Sequence, residues 1–195
     1  MLNKLFKDYN IVLGSNSPRR KQYLTDLGFS FTVRASDIDE SYPEELVREQ
    51  ITDYIAKAKA DAIEILHDNE IIITSDTTVW NNHTSLGKPE NRDEAYTMLK
   101  SLCGHEHEVI SSVCLKSKES VSVFHCITKV SFSDLSDEAL YFYIDQYKPY
   151  DKAGAYGIQE WIGLVGIDKI DGSYTNIVGL PTKELVEELL KFIKN

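Results

Sequence analysis

A short apolar run, Ile11-Val12-Leu13, gives way to Ser15-Asn16-Ser17-Pro18-Arg19-Arg20, and a helical pattern begins at once. Tyr23, Leu24 and Leu27 share one face of that pattern, and Gly28 closes it. Strand, tight loop and helix start thus fall within a few residues of one another. Ser17 has the side chain of an N-cap, and Pro18 suits the first helical position, where a missing N–H costs nothing. The unsatisfied N–H groups and the positive end of the helix dipole then form a site for an anion. Arg19 and Arg20 fall in the first turn, where cations oppose the dipole unless an anion sits there. Two readings stand at this point: a guanidinium clamp for phosphate, or a capped helix with two solvated arginines.

The totals narrow the field. The 195 residues carry a formal net charge of −10, which argues against broad binding to nucleic acid or to an anionic membrane surface. A polyanionic partner would need a local basic patch, and the arginine pair stands out against that background. The hydrophobic share of 42% is enough for a proper core. Cys103, Cys114 and Cys126 are far apart and form no CxxC pair, which fits a reducing, cytoplasmic setting rather than a disulfide framework or a zinc site. The first residues are too short and polar for a signal peptide, and no apolar run is long enough to span a bilayer. The absence of repeats, linkers and low-complexity segments points to one compact mixed α/β domain over residues 1–195.

Along the chain, Phe29, Phe31 and Val33 alternate with polar residues as in a strand. An acidic loop, Asp37 to Glu40, leads into Ser41-Tyr42-Pro43. The spacing of Val47, Ile51, Tyr54, Ile55, Ala58, Ala62 and Leu66 predicts a long helix from Glu44 to Leu66. At roughly 100° per residue, Lys59 projects beside this apolar stripe whereas Lys57 projects away from it. Lys57 reads as solvated. Lys59 either snorkels to water or meets an anion.

Ile71-Ile72-Ile73 reads as a central strand with Asp76 at its end, an unusual place for a residue that disfavours strands. Such an Asp either satisfies a turn or serves as metal ligand or base, because ligands collect at strand ends in α/β folds. Asn82 to Leu86 reads as a turn, and Gly87-Lys88-Pro89 puts Lys88 in a constrained loop. Asn91 and Glu94 form a capping box for a helix stopped by Gly104. His105 and His107 lack the spacing of a zinc helix but would share a strand face, so His107 is either a hydrogen-bonded structural residue or half of a metal pair. Strands follow at Val109–Leu115 and Val121–Phe132, then a helix capped by Ser136. A glycine-bearing loop ends at Gln159. Asp171-Gly172 predicts a hairpin between Trp161–Ile170 and Ser173–Val178, and Leu185 to Ile193 ends the chain as an amphipathic helix.

Taken together these segments resemble the Maf family of nucleoside triphosphate pyrophosphatases over nearly the whole chain. The resemblance rests on S-x-S-P-R-R at Ser15–Arg20, Asp37–Glu40, Ala56–Ala60 with Lys59, Ser75–Val79 around Asp76, and Gly87-Lys88-Pro89. It continues through His107-Glu108-Val109, Asp151–Gln159 and Gly172–Pro181. The A-Y-G-I-Q ending is similar to the branch acting on dTTP and UTP. The resemblance implies a Maf/ITPase-like mixed β-sheet flanked by helices, in two lobes with a central cleft. It implies Asp76 as proton acceptor, Arg19, Thr77 and Gln159 at positions linked to base choice, and Ser15, Arg20, Lys59 and Lys88 around the phosphates. Three positions depart from the pattern: Gly14 where Ala is frequent, Tyr54 where Arg is common, and Glu160 where Gly is usual.

Cleavage between the α- and β-phosphates of a triphosphate needs charge neutralisation, a positioned water and a base. A divalent cation, Mg²⁺ foremost with Mn²⁺ as the other choice, would bridge phosphate oxygens and carboxylates, with Glu40 and Asp76 as candidate ligands. The Gln159 amide offers one donor and one acceptor, matching the edge of uracil or thymine. The expected substrate is therefore a nucleoside triphosphate such as dTTP or UTP or a modified pyrimidine relative, with no nucleic-acid or membrane partner; a homodimer is compatible with this. Two alternatives keep the phosphate residues: a nucleotide-binding regulator of cell division, and a pyrophosphatase for a purine or modified nucleotide such as 7-methyl-GTP.

Overall fold

The protein, seen in a computed structural model, is described here for residues 2–194. Its first elements are α1 (Leu2–Leu5), β1 (Asn10–Leu13), α2 (Pro18–Asp26), β2 (Phe31–Val33) and α3 (Glu49–Asp61). There follow β3 (Glu70–Asn81), β4 (Thr84–Leu86), α4 (Arg92–Leu102), β5 (Glu106–Lys116), β6 (Val121–Phe132) and α5 (Asp137–Tyr147). A single 3-10 turn (Ala153–Ala155), α6 (Trp161–Val165), β7 (Ile167–Asp171), α7 (Tyr174–Val178) and α8 (Thr182–Phe192) complete the chain. Among the described residues the strands form one seven-stranded sheet in the order β2-β1-β3-β5-β6-β7, with β4 paired to β3. β1 runs parallel to β2 and β3, whereas β4 and β7 pair antiparallel with β3 and β6, so the expected mixed sheet flanked by helices is present.

The chain divides into two compact units. Among the described residues the first comprises 2–76, 111–126 and 179–194, the second 77–110 and 127–178. In the first unit the period of two decides which side chain faces which layer. Ile11, Leu13, Ile71 and Ile73 are buried with Leu24 of α2 and Leu185 and Leu189 of α8, while Val12 and Ile72 are buried on the other face with Ile63. The all-apolar Ile71-Ile72-Ile73 run is explained by that covering of both faces. The second unit has its own core, in which Leu99 and Leu102 of α4 and Leu140, Tyr143 and Ile144 of α5 pack with Val109, Val130 and Phe132 of the sheet.

Local signals at element ends hold. Ser17 Oγ accepts from the Arg20 N–H at 3.5 Å, Pro18 starts α2, and Gly28 leaves it at φ 78°. Ser136 Oγ caps α5 by accepting from the Ala139 N–H at 3.3 Å. Asn91 Oδ1 accepts from the N–H groups of Asp93 and Glu94, but Glu94 reaches back to the N–H of Glu90 at 2.7 Å, one residue beyond the expected capping-box partner.

Four expectations are corrected. The helix predicted for Glu44 to Leu66 is α3 alone, Glu49–Asp61. A turn bonds the Leu46 N–H to the Pro43 carbonyl, Arg48 sits at φ 53°, and the Lys116 ammonium takes the Ala60 and Ile63 carbonyls at the far end. Val47, Tyr54 and Leu66 of the supposed stripe are exposed. Second, Asp76 does not end its strand, since β3 continues to Asn81. Third, the segment read as a turn at Asn82 to Leu86 contains β4, and only Asn82 and His83, both at positive φ, form a two-residue hairpin. Fourth, Asp171-Gly172 joins no hairpin. Residues 161–178 form α6, β7 and α7, with β7 pairing to β6. Thr128 Oγ1 accepts from the Ser173 N–H at 3.0 Å and donates to its carbonyl at 3.2 Å, and the chain then turns into α7.

Candidate active site

Period and register place Lys59 on the buried face of α3, with Ile51, Ile55, Ala56 and Ala60. Its ammonium sits between two carboxylates, 2.8 Å from Asp76 Oδ1 and 2.8 Å from Glu40 Oε1. The Asp76 side chain is 12% exposed and that of Glu40 47%, so one partner is inside and the other reaches water. Lys57, two residues earlier, is 53% exposed and pairs with Asp61 one turn along the same helix. The helical geometry thus separates the two lysines as expected, and the acidic loop brings Glu40 to the same point.

Arg20, in the first turn of α2, ties the Ser15 loop to the middle of β3. Its Nε donates to the Gly179 carbonyl at 2.9 Å, and its Nη1 donates to the Ser75 carbonyl at 2.7 Å and to Ser15 Oγ at 3.3 Å. Ser15 Oγ also accepts from the Ser17 N–H at 3.2 Å, which folds the loop before the helix. Burial draws the Arg20 guanidinium below its ordinary range; the Asp76 charge opposes this and the neighbouring Arg19 charge adds to it. Ser15, Arg19, Arg20, Glu40, Lys59 and Asp76 therefore belong to the first unit. The bonds to Gly179 and Ser75 carried no sequence signal, because their partners lie 159 and 55 residues away.

Thr77, Lys88 and Gln159 belong to the second unit. Thr77 is half-buried, and Lys88 and Gln159 are exposed. Gln159 occupies a turn closed by the Glu160 N–H donating to the Gly157 carbonyl at 2.9 Å. A Cβ on Gly157 would stand 3.0 Å from Gln159 Nε2 and 2.9 Å from Glu160 Cδ, so both side chains lie close to the turn's first residue. Glu160 pairs with the buried Lys152 at 3.1 Å and accepts a hydrogen bond from the Tyr143 hydroxyl. Lys152 and Tyr143 escaped the sequence reading, being a loop lysine and one more apolar-face residue of a helix.

His107 is structural in its contacts. Its Nε2 lies 2.8 Å from the Tyr156 hydroxyl, its ring packs edge-on against Tyr156, and burial lowers its pKa to about 4. His105 lies outside β5 with its Nδ1 2.7 Å from the Cys103 carbonyl. Among the described residues no group of three or more His, Cys, Asp or Glu side chains is arranged to hold a metal ion. Nor is any helix long and apolar enough to cross a membrane.

The model of the Maf-like protein family matches residues 10–192. The chain belongs to the Maf-like family. A "dTTP/UTP pyrophosphatase" of Flavobacterium johnsoniae is 50% identical over 99% of this chain and 100% of its own. A protein of the same name from Flavobacterium psychrophilum is 51% identical over 97% of this chain and 98% of its own. One from Parabacteroides distasonis is 50% identical over 98% and 100%. Among solved structures, a HAM1 protein from Coxiella burnetii aligns with a TM-score of 0.51 at 14% identity, covering 94% of this chain and 99% of its own, and so shares the fold.

Two departures from the Maf pattern have local explanations. At Gly14 a Cβ would stand 2.5 Å from Thr74 Cγ2 and 2.6 Å from Ile63 Cδ1, so those two side chains occupy the space an alanine would need. At Glu160 the carboxylate is neutralised by Lys152 within the second unit.

Proposed function

We propose that this Maf-like chain, acting as one domain, is a nucleoside triphosphate pyrophosphatase that converts dTTP and UTP, and modified pyrimidine relatives, to the monophosphate and pyrophosphate as a house-cleaning activity. The observation that carries the reading is the Lys59 ammonium held between Asp76 and Glu40 at 2.8 Å each, with Arg20 fixed alongside through Ser75. A carboxylate shielded from water can serve as the base, and the cations beside it can neutralise phosphate charge, two of the things that hydrolysis of a phosphoanhydride requires. Full-length relatives at about half identity carry the same activity in their names.

In this reading Asp76 accepts the proton of the attacking water. Lys59, Arg19, Arg20 and Lys88 balance the phosphate charge, and Ser15 with the N–H groups at the start of α2 receives a phosphate oxygen. Gln159 and Thr77 read the base. A missed hydrogen bond there would leave polar groups unpaired, which is how such a residue rejects other bases. Glu40 and Asp76 converge on the Lys59 ammonium, and the same two carboxylates are the ones that would hold a divalent ion of the Mg²⁺ type, which takes one or two carboxylates and completes its shell with phosphate oxygens and water. Such an ion would supply charge stabilisation on the phosphates. The reading extends to the cytoplasm, on the cysteine pattern, and to a homodimer, on the exposed Phe142, Leu164 and Val165 of α5 and α6 that a second copy would cover.

The test is a panel of nucleoside triphosphates with Mg²⁺. Faster turnover of dTTP and UTP than of dCTP, GTP and 7-methyl-GTP supports the reading. A purine nucleotide as the best substrate overturns its base preference, and binding without turnover overturns the enzyme.

A further inference from the structure

The turn that carries Gln159 is gripped by a single buried hydroxyl. Tyr143, in the middle of α5, is fully buried and stacks on Tyr147 with ring centroids 5.1 Å apart. Its oxygen accepts the Gly157 N–H at 2.9 Å and donates to Glu160 Oε2. Gly157 and Glu160 are the two ends of the turn, joined to each other by the Glu160 N–H to Gly157 carbonyl bond. One phenol therefore holds both ends and leaves Ile158 and Gln159 as the two central residues. A phenol has one proton and accepts through the same oxygen, so both functions are in use.

The surroundings prevent the turn from opening elsewhere. Glu160 Oε1 is 3.1 Å from the Lys152 ammonium, which also pairs with Asp151 at 2.7 Å. On the far side Gly163 packs against the Ile158 carbonyl so closely that a Cβ would stand 1.7 Å from that oxygen. Its N–H donates to the Glu160 carbonyl at 3.0 Å, which sets the first turn of α6 against the same residues. Ile158, anchored in the core of the second unit, points its neighbour Gln159 to solvent. Burial, and after it the bond to Glu160, push the Tyr143 phenol well above its ordinary range, so it stays protonated and remains a donor.

We infer that Tyr143, with Glu160 and Lys152, is a positioning residue that sets base selectivity by fixing the Gln159 turn. This rests on the reading of Gln159 as the base-reading side chain. A side chain that discriminates by hydrogen bonding must be held within a fraction of an ångström, and only a buried, fully bonded support does that. Deleting the hydroxyl leaves the Gly157 N–H and a Glu160 oxygen without partners at both ends of the turn. The turn then samples other arrangements, and the amide loses its register on the base. Contacts to the phosphates, made by other residues, are not affected.

Steady-state kinetics of wild type, Tyr143→Phe and Glu160→Gln on dTTP and dCTP, with Mg²⁺, test this. Tyr143→Phe is expected to lower the dTTP-over-dCTP ratio of kcat/KM by about tenfold, mainly through KM for dTTP. Tripolyphosphate, which has no base, should inhibit this variant and wild type with the same Ki. Glu160→Gln keeps an acceptor for Tyr143 but loses the charge facing Lys152, and should lower the ratio less. If Tyr143→Phe does not fold, Glu160→Gln decides by the same ratio. A lower melting temperature with an unchanged ratio, or an equal loss of tripolyphosphate inhibition, overturns the positioning role. Wild-type protein with no preference for dTTP overturns the reading of Gln159 and the positioning role together. A wild-type preference that Tyr143→Phe retains overturns the positioning role alone.

Discussion

Replacing Lys59 with alanine removes the cation that two carboxylates share, whereas the same change at Lys57 removes half of a solvent-exposed pair. The Lys59 ammonium makes 2.8 Å contacts to Asp76 and Glu40, and its own side chain is only 11% exposed. Removing one partner of a fully buried ion pair costs about 3–5 kcal/mol, because the other charge is left uncompensated. Asp76 retains some access to water and Glu40 retains much more, so roughly 2–3 kcal/mol is the expected loss of stability. In catalysis, a lost charge-assisted contact to phosphate costs about 1.5–3 kcal/mol, or roughly a tenfold to hundredfold drop in kcat/KM. Lys57 and Asp61 are 53% and 50% exposed, and solvent screening leaves such a pair worth roughly 0.5 kcal/mol or less. Urea unfolding and kcat/KM on dTTP for Lys59→Ala and Lys57→Ala therefore diverge on both axes. Lys59→Met, which keeps the apolar stem, should recover part of the stability and little of the rate. A damaging Lys57→Ala beside a near-normal Lys59→Ala would refute the reasoning.

Three further outcomes follow from the geometry. Asp76→Asn should keep the fold and lose roughly 10²–10⁴ in rate, since an amide accepts no proton at neutral pH; near-normal turnover would place the base elsewhere. His107 is held neutral to about 4 in the folded protein against 6.5 in the unfolded chain, so protonation on acidification favours the unfolded state. That single group should lower stability by roughly 2 kcal/mol from about pH 7 to about pH 5, and the fall in unfolding free energy over that range should be smaller by that amount in His107→Gln. Gly14→Ala should lower stability by about 1–3 kcal/mol through overpacking against Thr74 and Ile63, read as a fall in melting temperature.

What could be read from the sequence was chemistry confined to a few neighbouring residues. Ser17, Pro18 and Gly28 mark the ends of α2 because caps act within one turn. Lys59 and Lys57 separate because the helical period needs no partner to be known. Wherever a distant partner decides, the sequence pattern was silent or misleading. For Arg20 the sequence leaves a phosphate clamp and a solvated arginine side by side, because the Gly179 and Ser75 carbonyls that hold its guanidinium lie far along the chain. Asp171-Gly172 reads as a hairpin because Thr128, which receives Ser173 and directs the chain into α7, lies on another strand. The stripe predicted over Glu44 to Leu66 exceeds α3 because Val47, Tyr54 and Leu66 are apolar yet exposed, and hydrophobicity does not itself imply burial. Gln159 is marked as a candidate only by resemblance, and the buried grip of Tyr143 on its turn depends on a contact no local pattern encodes.

The most direct measurement is the identity of the first products formed from dTTP with Mg²⁺, followed by ion-exchange separation at early times. Cleavage of the α–β anhydride gives dTMP and pyrophosphate in equal amounts, with orthophosphate absent until pyrophosphate is itself degraded. Appearance of dTDP and orthophosphate as the first products would place attack at the γ-phosphate and contradict the assignment of Asp76, Lys59 and Glu40 to the α–β bond.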